Sequence, residues 1–287
     1  MGTIKEFKKS YLNYMSTVNS FRNSWGVWEP IIQSKLSTPP TGVEIFNLGD
    51  SLSEIFTANS TSGRSQGSLS GGGTAWECLV CWYLNLILWE TPVIAVRQKR
   101  DYIPEVISNC VTVTIGCNRT NTESDIVIYS IPSSNSLKSI NNLNTHIQNN
   151  LNAVDMVVLQ CKTNWNDNAQ IPMLWDMIYN SNSRLPHVSV GVEGVSPLSV
   201  NKFKYAFVTV PSNTRSTHTS TNISVLRVRG LTGGNYWGKR TESDVAASIK
   251  ELPNRHFGLF LSGGVVGHVN QLLMNDDYLD SFLSIEW

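Results

Sequence analysis

Asp155-Met-Val-Val-Leu-Gln-Cys-Lys162 is an acid, an unbroken apolar run and then a polar-x-Lys ending. A short apolar run without alternation predicts a strand buried on both faces, the kind found in a sheet with helices on both sides. Upstream, Ser124-Asp-Ile-Val-Ile-Tyr129 predicts a second buried strand with Asp125 at its head. Val93–Val96 and Val111–Ile115 predict two more, and residues 187–192, 204–210 and 224–229 a further three. Helical spacing is expected over 3–23, from Thr74 to about Trp89, over 164–182, near 243–251 and over 265–275. Residues 57–73 and 130–153 read as exposed Ser-, Gly- and Asn-rich loops, the second with one short helix. Strands interleaved with helices imply a layered α/β/α core, an α/β class with a mixed central sheet.

The chain has 287 residues, 41% hydrophobic and 15% charged, which predicts a globular protein and excludes a disordered one. No apolar stretch reaches the roughly 18 residues of a membrane span. Met-Gly-Thr-Ile-Lys-Glu-Phe-Lys-Lys9 has no signal-peptide apolar core, so a cytoplasmic location is expected. Net charge is zero but unevenly spread: residues 201–255 carry nine Lys/Arg against three Asp/Glu. That segment is the expected footprint for a polyanion, with ordinary surface asymmetry as the alternative. The five cysteines (Cys78, Cys81, Cys110, Cys117, Cys161) are an odd set. Buried reduced thiols are expected, and a four-thiolate zinc site on Cys78, Cys81, Cys110 and Cys117 is the alternative.

The chemistry-bearing residues cluster at two strand ends. Side chains two apart on a strand share a face, so Gln160 and Lys162 point the same way. Mg²⁺ takes oxygen ligands, usually one or two carboxylates completed by other oxygens. Asp125 can supply a carboxylate, Gln160 an amide oxygen and Cys161 its backbone carbonyl. Lys162 can orient a water and offset charge on a phosphoryl group. Asp155 begins the same strand as Gln160, roughly 16 Å away along an extended chain, at the wrong end for that cluster. Thr74-Ala-Trp-Glu77 is a capping-box pattern at a helix start. Asn164, Asn166 and Asn168 follow the Lys162 strand and read as substrate contacts or as a solvated first helical turn. Arg215, His218 and Asn222 lie in a polar loop suited to contacting base edges.

Asp125 with Gln160-Cys161-Lys162 resembles the motif of the PD-(D/E)XK nuclease superfamily, and within it that of type II restriction endonucleases. The second motif residue is usually Asp or Glu; the Gln160 variant resembles the Q-x-K form. The 35-residue step from Asp125 to Gln160 implies a long insertion. Gly233-Gly-Asn-Tyr-Trp-Gly238 is similar to a segment met in predicted restriction enzymes. The resemblance implies a restriction-endonuclease-like α/β/α core and Mg²⁺-dependent cutting of double-stranded DNA at a specific site. Asp125 and Glu77 would be metal ligands, Gln160 would complete the coordination or position water, and Lys162 would activate the nucleophile. A homodimer is implied, as is a DNA methyltransferase in the same system as functional partner. One nuclease domain is expected over 1–287. Its parts are a helical and loop region (1–73), a catalytic core (74–182), recognition strands and loops (183–255) and a final segment (256–287). The alternatives are a repair or recombination nuclease of the same fold and a non-catalytic, zinc-stabilised binding protein.

Overall fold

The computed structural model describes residues 2–61, 69–98, 102–120, 124–132, 137, 139–165, 169–181, 185–211, 218–275 and 277–283. The central sheet is mixed. Its strands are β1 (Val93–Arg97), then, after the short β2 (Val113–Ile115) and β3 (Asn118–Thr120), β4 (Ile126–Ser130) and β5 (Asp155–Lys162). After β6 (Val188–Val190) come β7 (Lys202–Thr209), β8 (Gly234–Trp237) and β9 (Ala247–Ser248). The spatial order is β1-β4-β5-β7-β8-β9, while β3-β2-β6 form a small separate antiparallel sheet. β1, β4 and β5 form an antiparallel meander, and β7 then lies parallel to β5, with Asp155 opposite Lys202 and Lys162 opposite Thr209. β8 and β9 continue the parallel half.

The helices are α1 (Gly2–Ser16), α2 (Asn19–Ser34), α3 (Gly42–Asn47), α4 (Leu52–Thr61), α5 (Leu69–Ile87), α6 (Glu105–Val111) and α7 (Leu143–Asn149). After them come α8 (Gln170–Tyr179), α9 (Ile223–Arg229), α10 (Leu252–Phe257), α11 (Gly264–Leu272) and α12 (Asp277–Leu283). From Ala75 to Trp89 almost every side chain is buried, because α5 lies between the sheet and the outer helices α1, α2, α4 and α11. Asn85 fixes it to the sheet: its amide nitrogen donates to Ala95 O (2.7 Å) and its oxygen accepts from Ala95 N (3.2 Å). The opposite face carries α8 and α9, with Tyr179 of α8 stacked on Tyr205 of β7 at 5.5 Å. The result is an α/β/α arrangement. Among the described residues no helix is long and apolar enough to cross a membrane.

Several local expectations are corrected. The helix expected over 3–23 is two helices, because the hydroxyls of Ser16 and Thr17 bond back to the Asn13 and Tyr14 carbonyls and close a turn. The loop expected over 57–73 is helical at both ends, α4 running to Thr61 and α5 starting at Leu69; 62–68 lie outside the described residues. Val111 ends α6 instead of opening a strand. Residues 224–229, expected as a strand, lie in α9: Val225 and Val228 are buried three apart, and Arg227 and Arg229 sit in the last turn, where the helix dipole favours cations. The helix expected near 243–251 is instead a turn closed by Glu242 and Ala246, then β9 and a single 3-10 turn. Strand β8 was not expected. Gly233 allows it, since a Cβ there would lie 2.6 Å from Tyr205 O.

Candidate active site

The motif residues meet at the end of β5. The Asp125 carboxylate accepts a hydrogen bond from the backbone N–H of Cys161 through Oδ2 at 2.7 Å. Asp125 sits just before β4, where Ile126 faces Leu159, so continuing the register places it opposite Gln160. Its own carbonyl accepts from Gln98 N at 3.1 Å, tying the head of β4 to the end of β1. In an extended strand the N–H and C=O of one residue point to the same side. The Cys161 carbonyl is therefore directed toward Asp125, and the Lys162 carbonyl toward β7, where Val210 N donates to it at 3.1 Å.

Gln160 is fully buried on the face shared with α8, and its Oε1 accepts from the Tyr205 hydroxyl at 3.0 Å. Lys162, two residues on, is half-buried at the sheet end on the same face. Cys161 turns to the α5 face. Burial pushes its thiol well above the ordinary range, and the carboxylates of Asp125 and then Glu77 add to the rise.

Glu77 does not cap a helix. Thr74 and Glu77 lie inside α5, which begins five residues before Thr74, so the capping-box reading is corrected. Glu77 Oε2 instead accepts from Arg97 Nε (2.9 Å) and Nη2 (2.7 Å), with both side chains largely shielded from solvent. Arg97 was not singled out in the sequence because its partner is twenty residues away. Asp155 lies at the other end of β5, held by Asn201 Nδ2 at 2.7 Å, as expected.

The expected substrate contacts divide. Asn166, Asn168 and Arg215 lie outside the described residues. Asn164 follows β5 in the segment leading to Trp165. Asn222 stands at the start of α9 and its Oδ1 accepts from the Thr219 hydroxyl at 2.7 Å, a local contact. His218 is buried with its ring 4.7 Å from that of Trp165, and Trp165 meets Trp237 edge-on at 6.0 Å. Burial, and next the nearby Lys239, lower the His218 pKa; Glu242 opposes them. Trp237 lies in the Gly233–Gly238 segment noted in sequence, whereas Tyr205 carried no signal there, since it acts through Gln160 on another strand.

Among the described residues no three His, Cys, Asp or Glu are grouped to hold a metal. The thiolate set Cys78, Cys81, Cys110 and Cys117 is thus not gathered. Cys117 is exposed, whereas Cys78, Cys81 and Cys110 are buried and burial pushes each up to about 12. The strand-end cluster combines Asp125 with a backbone carbonyl and an amide, so it is not such a group. A cavity of about 500 Å³ lies elsewhere, between α6, β3 and the turn at Val192–Glu193. The chain matches no family model, and no curated protein is significantly similar to it.

Proposed function

We propose that this chain is a Mg²⁺-dependent nuclease that hydrolyses double-stranded DNA, a type II restriction endonuclease with the Q-x-K form of the PD-(D/E)XK motif. The observation that carries the reading is the hydrogen bond from Cys161 N–H to Asp125, which joins the acid to the residue between Gln160 and Lys162. The mixed sheet with helices on both faces agrees with the core that the resemblance implies.

The donor set suits a hard cation. The Asp125 carboxylate and the Cys161 carbonyl lie on one side of β5, two oxygens of the type Mg²⁺ prefers. Glu77 offers Oε1 from α5, because both Arg97 bonds land on Oε2. Gln160 has its amide oxygen held by Tyr205, which suits fixing the strand end and a water rather than filling the first position on the ion. Bound there, Mg²⁺ would neutralise a non-bridging phosphate oxygen and lower the pKa of a water. Lys162 would orient that water and steady the charge of the transition state. A homodimer would read a two-fold-symmetric site, and a DNA methyltransferase would protect host DNA.

The test is incubation of the protein with phage DNA and Mg²⁺ beside Lys162→Ala and Asp125→Ala. Discrete fragments from the intact protein and none from either variant are expected. Random degradation would replace site-specific restriction with a repair nuclease. No cutting with any divalent ion would sink the reading.

A further inference from the structure

One side of α6 is polar. Glu105, Ser108, Asn109 and the C-cap Thr112 recur at the three- and four-residue spacing of a single helical stripe, while Val106, Ile107, Cys110 and Val111 fill the buried side. The stripe lines the cavity of about 500 Å³ together with Arg119 of β3 and Glu193. That volume falls in the roughly 300–1,000 Å³ range of small-molecule sites. The turn that carries Glu193 is tied to α6 at three points. Gly191 N donates to Thr112 O (2.8 Å), Val192 N to Asn109 O (3.1 Å), and Asn109 Nδ2 to Glu193 Oε2 (2.9 Å). Glu193 itself has φ 55°, between Gly191 at 89° and Gly194 at 80°. A glutamate held in the left-handed region is costly, and such residues cluster at ligand sites. The charges on this lining do not pair with one another: among the described residues Arg119, Glu105 and Glu193 are in no ion pair, although all three border one space.

We propose that this cavity binds a basic α-amino acid. The Arg119 guanidinium suits a carboxylate, which it can grip with two parallel N–H donors. The carboxylates of Glu105 and Glu193 suit cations. Two carboxylates against one guanidinium leave the lining with a negative surplus, so its complement carries one carboxylate and two cationic groups. That is the charge pattern of lysine, ornithine and arginine. The same surplus repels phosphate, which separates this cavity from any DNA-backbone contact. Glu193 Oε1 is left for the ligand, since Asn109 takes Oε2. The Thr112 hydroxyl donates to Ser108 O at 2.8 Å and so keeps its lone pairs for an incoming N–H. Ile103 and Val192 supply apolar surface for the methylene stem. The site belongs to α6 and the small sheet, and it stands whether or not the chain cuts DNA.

The experiment is isothermal titration calorimetry of the intact protein with lysine, ornithine and arginine in separate runs, each beside the amine that lacks its carboxylate, and with alanine. At least one basic amino acid should bind saturably, and both its amine and alanine should bind about tenfold more weakly, the equivalent of one charge-assisted contact. Arg119→Gln should remove the difference between acid and amine by weakening only the acid. Glu193→Gln, which keeps an oxygen for Asn109, should weaken both. Thermal melts of the two variants should match wild type, since both side chains are exposed. The comparison of acid with amine needs no variant, so it decides even where a substitution unfolds the chain. No saturable heat from any of the three amino acids overturns the proposal. Equal binding of the amine or of alanine does so too, as does binding that Arg119→Gln leaves intact. Because no DNA is present, a chain that binds lysine but cuts nothing would keep this site and sink the nuclease reading.

Discussion

Tyr205 in β7 donates its hydroxyl to the amide oxygen of Gln160 in β5 across 3.0 Å, inside a face closed to solvent. Gln160 therefore belongs to the packing between two parallel strands as much as to the motif it completes. Gln160→Glu would restore the commoner acid but bury a carboxylate. Burial raises a carboxyl pKa above its unfolded value near 4.3. The variant should thus match wild type below about pH 4 and lose roughly 1–3 kcal/mol as pH rises through the folded pKa. Urea unfolding at acidic and neutral pH measures this. Mg²⁺ should recover more stability in the variant than in wild type if the cation binds at this strand end.

Asp125 combines a structural bond and a charge, and the two separate by substitution. Asn at 125 keeps an oxygen for Cys161 N–H, whereas Ala removes it. Asp125→Asn should unfold near the wild-type denaturant midpoint, and Asp125→Ala should lose about 1–3 kcal/mol. Both should lose DNA cutting. An Asp125→Asn protein that cuts normally would remove the acid from the mechanism.

Glu77 and Arg97 bridge α5 and β1 with their side chains 19% and 17% exposed. Removing one partner strands the other charge in a partly buried site. Glu77→Leu alone should lower the melting temperature, and adding Arg97→Leu should return part of the loss, because an apolar pair needs no desolvation of ions. A thermal-melt double-mutant cycle reads the coupling. The doubly substituted protein should still fail to cut if Glu77 serves the cation.

Lys8 is fully buried, its Nζ 2.6 Å from Leu88 O, and burial lowers its pKa to about 7 against the attraction of Glu90. The folded value lies below the unfolded value of 10.5, so between about pH 7 and 10.5 the unfolded chain binds the extra proton. Stability should rise with pH across that window by up to ~1.4 kcal/mol per unit. Lys8→Met should lack the rise. Parallel slopes for the two proteins from pH 7 to pH 10 would show that Lys8 is not the group.

What could be read from sequence was what local pattern determines. The apolar runs of β1, β4, β5 and α5 have one low-energy use, and their burial follows. That Asp125 and Lys162 stand at strand ends was legible because each bounds an unbroken apolar run. Ile223-Ser-Val-Leu-Arg-Val228 fits either a strand or a short helix, and packing against α8 selects the helix. Gly234-Asn-Tyr-Trp237 joins strand-poor Gly and Asn to strand-favouring Tyr and Trp, too short a run to read alone, and becomes β8 through pairing with β7. Glu77 satisfied a local capping pattern while its real partner lay on another element. The Trp165, His218 and Trp237 grouping joins three separate segments, so no local window contains it.

The Trp82 indole donates to Phe282 O, the Tyr278 hydroxyl to Leu86 O, and Gly42 N to the Asn270 side chain. Residues near positions 40 and 80 are thus sealed by residues made some two hundred positions later. During synthesis the hydrophobic α5 must wait, unshielded on that flank, until residues 264–283 have left the ribosome. A ribosome that stalls before that point releases a chain with a sticky, open flank, suited to chaperone capture or proteolysis. The cutting activity proposed here would in that way be withheld from unfinished copies.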